Sequence, residues 1–331
     1  MNAATFARFA LVLLLALTSC RSDRATATSA PLHIAVIPKG TTHEFWKSVH
    51  AGAVKAAQEL GVEITWKGPL KEDDLKAQID VVQTFVAQGV SGIVLAPLND
   101  KGLVGAVQQA HAAKIPVAIF DSDLQGHDHI SFVATDNRAA GRIAGEQMIS
   151  LLGGKGNVVV LRYSEGSAST ANREAGFLEA IAKSDGIKVV SSNQYGGATT
   201  ESAFATSENL LAATKAGAGG VDGIFCPNES TTFGMLLALE KAGLAGKMKF
   251  VGFDSSTKLI EGVRQGHIDG LVLQNPFQMG YLAVKTMTQH LKGQNVEARI
   301  DTGATFVTKQ NLDQPEIAEL VTPDLKKWLK E

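Results

Sequence analysis

What this chain lacks narrows it before any motif is read. It has two cysteines, Cys20 and Cys226, in 331 residues. That cannot supply the disulfide framework of a small secreted scaffold, so packing must hold the fold. Aromatic residues make up only 6%, which suits an α/β protein with many short turns better than a sandwich packed with aromatic pairs. Lys and Arg number 31 against 33 Asp and Glu, a formal net charge of -2; with no basic stripe, nucleic acid is not an expected partner. Catalytic signatures are missing too. There is no G-x-S-x-G elbow, no Walker A sequence and no H-E-x-x-H, and Leu152-Gly153-Gly154-Lys155-Gly156 lacks the Ser/Thr and spacing of a phosphate loop. No calcium loop is present, and His127-Asp128-His129 stands in a polar stretch without further Cys or His nearby, so neither metal nor cofactor is expected. Asp121 and Asp123 sit two apart in one loop rather than facing each other across a substrate, which favours binding over catalysis.

What is present begins with a processing segment. Arg8 precedes the apolar run Phe9 to Leu17, too short to span a bilayer and the right length for the core of a signal peptide. Leu17-Thr18-Ser19-Cys20 resembles the bacterial lipobox, in which cleavage before the Cys is followed by its lipidation. Residues 1–20 therefore read as a lipoprotein signal peptide and 21–31, rich in Ser, Thr and Ala, as a flexible tether. The expected product is exported and held to the membrane through its lipid alone. Cys226 reads as a small buried residue at a strand end.

From Ile34 the chain alternates between apolar β-branched runs and amphipathic stretches. Strands are expected at 34–37, 62–66, 92–96, 117–120 and a linking 130–134, with helices at 45–60, 72–88 and 101–113. Thr41 or Thr42 can cap the first helix. The plan then restarts, with strands at 158–161, 188–190, 223–225, 250–253 and 271–273 and helices at 138–152, 171–182, 200–213, 232–242 and 258–265. The alternation predicts an α/β fold of two doubly wound parallel-sheet lobes. The helix 277–291 falls back on the first lobe, 306–308 returns to the second, and 315–331 adds a terminal amphipathic helix.

Nearly every expected strand ends in a polar cluster. Ile37 is followed by Lys39 and His43, Pro97 by Asn99 and Asp100, Phe120 by Asp121-Ser122-Asp123, Leu161 by Arg162 to Ser167, Phe225 by Asn228-Glu229, Phe253 by Asp254 and Leu273 by Gln274-Asn275. In an open parallel sheet this carboxyl edge is where ligands bind. Carboxylates, amides, an Arg and the adjacent Phe45 and Trp46 on one edge of two lobes describe a cleft for a small polyhydroxy ligand: charged forks grip hydroxyls while a ring covers C–H surface.

Ala134-Thr135-Asp136-Asn137 with Gly141-Arg142-Ile143-Ala144-Gly145, Gly223 to Glu229, Val251-Gly252-Phe253-Asp254 and Gln274 to Gly280 resemble, in order, the ribose/galactose-type periplasmic sugar-binding proteins, type I solute-binding proteins of ABC importers. The resemblance implies lobes joined by a three-segment hinge, with residues 32–135 plus 275–303 in lobe 1 and 136–274 plus 304–331 in lobe 2. It also implies a monomer that clamps a monosaccharide or related polyol in the periplasm and delivers it to an inner-membrane permease with its ATPase. A ligand-sensing subunit for a membrane receptor and a sugar-processing enzyme are the alternatives. Carried over by position, ligand contacts fall on His43, Phe45, Trp46, Asp121, Arg173, Asn228, Asp254 and Gln274. Ile37-Pro38-Lys39 resembles the branch in which the Lys contacts ligand. Ser122, also expected at the ligand, stands where the ribose-type pattern has Arg, and Gly196-Gly197-Ala198 where it has a second-lobe aromatic, with Tyr195 only nearby.

Cys20→Ser should abolish lipid labelling and release the protein from the membrane fraction, because acyl chains would be its only anchor. Metabolic labelling that persists in the variant would end the lipobox reading.

Overall fold

A computed structural model of the chain describes residues 31–329; the Cys20 assignment, the signal peptide and most of the tether lie outside the described residues. In chain order the elements are β1 (His33–Ile37), α1 (Glu44–Leu60), β2 (Glu63–Trp66), α2 (Leu75–Gln88), β3 (Gly92–Leu95), α3 (Val104–Ala112), β4 (Val117–Phe120) and β5 (Ser131–Ala134). A second round gives α4 (Asn137–Leu151), β6 (Gly156–Arg162), α5 (Ala168–Ile181), β7 (Ile187–Tyr195), α6 (Thr200–Ala213), β8 (Gly223–Phe225), α7 (Glu229–Lys241), β9 (Lys249–Phe253), α8 (Thr257–Gln265) and β10 (Gly270–Leu273). The chain ends with α9 (Pro276–Leu291), β11 (Arg299–Asp301), β12 (Thr305–Val307) and α10 (Pro315–Val321).

The strands form two six-stranded sheets, ordered β11-β5-β4-β3-β1-β2 and β12-β10-β9-β8-β6-β7. The pairings are parallel, except that β12 runs antiparallel to β10. A central strand such as β1, β3, β4 or β10 has a helix layer on both faces, which is why its sequence is a continuous apolar run rather than an alternation. β7 is an edge strand, and its pattern is largely exposed. Each lobe accordingly has two apolar layers, one per sheet face. Cys226 is fully buried just after β8, where burial pushes its thiol well above its usual range.

The sheet order 2-1-3-4-5 occurs in both lobes, with β11 or β12 added from the C-terminal stretch. The chain passes between the lobes at 134–137, 273–276 and 301–305. The alternation in sequence therefore corresponds to two similar α/β lobes.

Four expectations change. Neither Thr41 nor Thr42 caps α1; His43 occupies the cap without a side-chain bond, because the first amides of α1 go to a carboxylate of the other lobe. α2 starts at Leu75, where Asp74 accepts from the amide of Ala77, and Glu72 stays in the preceding loop. The expected terminal helix 315–331 ends at Val321, since Pro323 cannot continue it. A short 3-10 turn over Leu325–Lys327 follows, and Trp328 then packs on Phe277 of α9 with ring centroids 6.3 Å apart. The short charged strand Arg299–Asp301 carries no apolar run and was not expected; it pairs with β5, making 131–134 an interior strand of the first sheet rather than a bare linker.

α1 and α9 approach so closely that each needs a glycine at the crossing. A methyl on Gly52 would overlap the carbonyl oxygen of Phe277, and one on Gly280 that of Val49. α4 and α5 cross in the same way. Gly52→Ala and Gly280→Ala should each cost about 1–3 kcal/mol through overpacking. Gly105→Ala in α3, where a methyl meets nothing within 4 Å, should be neutral or stabilising by up to about 1 kcal/mol. Thermal melts that rank Gly52→Ala with Gly105→Ala would contradict this packing.

Candidate functional site

The carboxyl ends of the two sheets face each other across a narrow, partly open cleft. Asp121, directly after β4, and Asp254, directly after β9, are equivalent points of the two lobes. Both adopt left-handed backbone, φ 61° and 66°, and each amide is spent on the neighbouring strand, Val133 O and Val272 O, at 3.0 Å. Asp tolerates this conformation better than most residues, and here it turns each carboxylate into the cleft.

The first lobe contributes Lys39, His43, Phe45, Trp46 and Asp121 to the wall. Lys39 is only 3% exposed; its Nζ lies 3.0 Å from Asp121 Oδ2 and donates across the cleft to Ser169 Oγ at 3.0 Å. Trp46 is nearly buried, edge-on to Phe45 and to Phe120. One side of its ring thus belongs to the core, and its indole N–H donates to Glu72 Oε1 at 2.6 Å.

The second lobe contributes Arg173, Asn228, Asp254 and Gln274. Arg173 lies on α5, whose close crossing with α4 brings it against the lobe junction. Nε donates to Asn137 Oδ1 at 2.7 Å and one terminal nitrogen to the carbonyl of Pro227 at 2.9 Å. The guanidinium stacks over Phe253 at 4.3 Å and stands 3.9 Å from Asp254. Arg138, not Arg173, pairs with Glu179 on the surface. Asn228 caps α7 through the amide of Thr231. Asp254 accepts from Gln274 Nε2 at 2.7 Å and from the amide of Glu229 at 3.0 Å; Ser256, not Asp254, caps α8. Gln274 Oε1 is buried and finds no hydrogen-bond partner among the described residues.

The structure thus gathers every expected site residue from Lys39 to Gln274 at one cavity except Ser122. Ser122 is fully buried behind the wall, and its hydroxyl accepts the amide of Ser169 at 3.1 Å. Five further side chains line the cavity that were not assigned to the ligand: Glu72, Tyr163, Ser169, Thr170 and Glu229, of which Tyr163 and Glu229 fall in strand-end polar clusters. Tyr163 is the first residue beyond β6, a strand-end position that could have marked it. Tyr195, the aromatic that sequence placed nearby, is instead exposed and stacks on Arg162 at 5.7 Å. Glu72 had no local signal. No His, Cys, Asp and Glu group that could hold a metal occurs among the described residues.

Three pairs of opposite charge stand in the wall, Lys39 with Asp121, His43 with Glu72 and Arg173 with Asp254, while Glu229 is met by backbone amides. Burial alone would lower His43, but the Glu72 carboxylate 2.7 Å away overrides it, with Glu229 and Asp254 adding, and raises His43 to about 9. Burial would raise Glu72, but His43, Lys39 and the Tyr163 hydroxyl hold it down to about 2. Glu229 receives the amides of Glu44 and Phe45 at the N-terminus of α1, at 3.3 and 3.2 Å. Burial still dominates there and raises it to about 7, against the pull of His43. Glu174, behind the wall, is raised to about 7 by burial, with the Tyr163 amide and Arg162 opposing. Burial likewise raises Asp254, opposed by Arg173.

Residues 34–295 match the family model described as periplasmic binding protein domain. Among curated proteins, the chain is 29% identical over 304 residues to the ribose import binding protein RbsB of Salmonella typhimurium, covering 91% of this chain and 97% of that one. Among solved structures it is similar to an ABC transporter solute binding protein from Agrobacterium vitis with bound D-fucose (TM-score 0.83, 37% identity, 88% of this chain and 100% of that one). A carbohydrate transporter solute binding protein from Agrobacterium radiobacter in complex with D-arabinose gives a TM-score of 0.84 at 33% identity, covering 89% and 100%.

These shifts set the pH dependence of stability. Glu229 and Glu174 bind protons more tightly folded than unfolded, so their contribution is lost as pH rises from 4.5 to about 7. His43 is also raised, and its contribution is lost between 6.5 and about 9. Glu72 is lowered, so its contribution is lost as pH falls from 4.5 towards about 2. The melting temperature should therefore peak near about pH 5 and decline to pH 9, with His43→Gln flattening the upper limb and Glu229→Gln the middle one. A melting temperature that climbs from pH 5 to 9 would contradict the assignments.

Proposed function

This chain belongs to the periplasmic binding protein family, and from that premise we propose that it captures a neutral monosaccharide or related polyol between its lobes and passes it to an ATP-driven importer. Its family and relatives are binding proteins of transporters rather than enzymes. Lys39, His43, Phe45, Trp46, Asp121, Arg173, Asn228, Asp254 and Gln274 are the ligand contacts in this reading, and Ser122 supports Ser169. The division into 32–135 plus 275–303 and 136–274 plus 304–331 goes with it, as does a lipid-anchored monomer at the periplasmic side, working with an inner-membrane permease and its ATPase.

The observation that carries the reading is Gln274. Its Nε2 is held by Asp254, while Oε1, in a residue that lines the cavity and is 4% exposed, has no hydrogen-bond partner among the described residues. A buried acceptor left unpaired costs about 1–3 kcal/mol, and a ligand hydroxyl relieves it. Charge balance supports a neutral ligand: Lys39 with Asp121, His43 with Glu72 and Arg173 with Asp254 compensate one another. A charged sugar would bring an uncompensated buried charge.

A thermal-shift screen of the mature chain against pentoses, hexoses, inositols, sugar alcohols and furanoses tests this. A ligand at a hundred times its Kd should stabilise by about 2.7 kcal/mol. Calorimetry on the hit should then show Asp121→Ala, Arg173→Ala and Asp254→Ala each weakened by about ten- to hundred-fold, the worth of a hydrogen bond to a charged group. All three within two-fold of wild type, with folding intact, would sink the residue assignments.

A further inference from the structure

One hydrogen-bonded junction in the cleft wall draws on both lobes and has a carboxylate at its centre. Glu72, in the loop between β2 and α2, is 6% exposed. Its Oε1 accepts from His43 Nδ1 and Trp46 Nε1, at 2.7 and 2.6 Å, both from its own lobe. Its Oε2 accepts from the Tyr163 hydroxyl of the opposite lobe at 2.5 Å. Tyr163 is 2% exposed and anchored at its other end, where its amide donates to Glu174 Oε1 at 3.1 Å. When the lobes part, the bonds from His43 and Trp46 travel with Glu72, while the bond from Tyr163 must break. Hydrogen bonds to an ionised acceptor are the strong ones, and this one is withdrawn from water in the closed form.

We propose that Tyr163 and Glu72 are the latch of the closed form, a direct contact between the lobes that sets how long a captured ligand is held. The proposal rests on the capture function above and adds to it a role for two residues of the cavity wall, whose mutual bond joins the lobes. Other bonds also cross between the lobes, among them Lys39 to Ser169, Ser169 to Ser122, Glu229 to the α1 amides and Glu44 to Thr257; the Tyr163 bond differs in joining a neutral hydroxyl to a carboxylate withdrawn from water. Among the described residues the Tyr163 hydroxyl has no second hydrogen-bond partner, so removing its oxygen isolates the latch.

The test uses the sugar selected by the screen and stopped-flow kinetics on wild type, Tyr163→Phe, Glu72→Gln and the double variant. Each single change should raise koff by about ten- to hundred-fold with kon nearly unchanged. The double variant should lose little more than Glu72→Gln alone, because neutralising the carboxylate already weakens the bond that Tyr163→Phe removes. Losses that multiply in the double variant would overturn the latch. So would a Tyr163→Phe loss confined to sugars bearing one particular hydroxyl, which would make Tyr163 a ligand contact. If Glu72→Gln does not fold, koff of Tyr163→Phe decides alone, and a value within two-fold of wild type overturns the proposal. A wild type that binds no sugar of the panel counts against the capture reading instead. The latch is then read in the unliganded chain from spin labels at exposed Leu70 and Tyr195: Tyr163→Phe should shift the distances towards the open form, and equal distributions overturn it.

Discussion

A charge withdrawn from water has to be given a partner, and the cleft of this protein is arranged around that requirement. Lys39, His43 and Arg173 meet Asp121, Glu72 and Asp254, and each group is at most partly reachable by solvent. Glu229 has no cation of its own at bonding distance; it is satisfied by the first amides of α1, the positive end of a helix. The reverse contact exists as well, since Glu44 of α1 accepts the amide of Thr257 at the start of α8 at 3.1 Å. Each lobe therefore supplies a carboxylate to a helix terminus of the other.

The same requirement explains why the two lobes repeat one plan. A parallel sheet presents its strand ends on one edge, so two copies facing each other bring Asp121 and Asp254 to equivalent positions with equivalent backbone strain. The helices behind that edge must be rigid for the side chains to keep their geometry. Glycine at the crossings of α1 with α9 and of α4 with α5 allows backbone contact there, and the second crossing carries Arg173. Packing behind the wall and polarity within it are thus parts of one arrangement.

Closure is where these parts meet. Lys39 to Ser169, Tyr163 to Glu72, Ser169 to Ser122 and Phe45 to Glu229 all join residues of different sheets. Each is lost if the lobes separate, and water takes over the freed groups. On the capture reading proposed above, a ligand that bridges both lobes would favour the state in which these bonds are made. Trp328 on Phe277 adds a contact from the C-terminal stretch to the first lobe, while Ile317 of α10 lies in the core of the second.

How much of this was legible in the sequence follows from range. Strands, helices and the polar clusters at strand ends are set by neighbours a few residues away, through periodicity, caps and turn residues, and so the two lobes and Lys39, Asp121, Asn228, Asp254 and Gln274 could be read directly, whereas Arg173, inside α5, came from the family resemblance alone. Boundaries shifted where a distant group intervened, as when Glu229 rather than a local Thr met the start of α1. β11 was invisible because Arg-Ile-Asp is a strand only by virtue of its pairing with β5. Glu72 and Tyr163 lie 91 residues apart, and nothing local marks either as the other's partner. The order of elements and the chemistry at each strand end were determined by sequence alone. Which carboxylate meets which donor, which ring faces the cleft and which serine stands behind it were decided only by the tertiary structure, because burial and pairing belong to the meeting of two lobes and not to either segment.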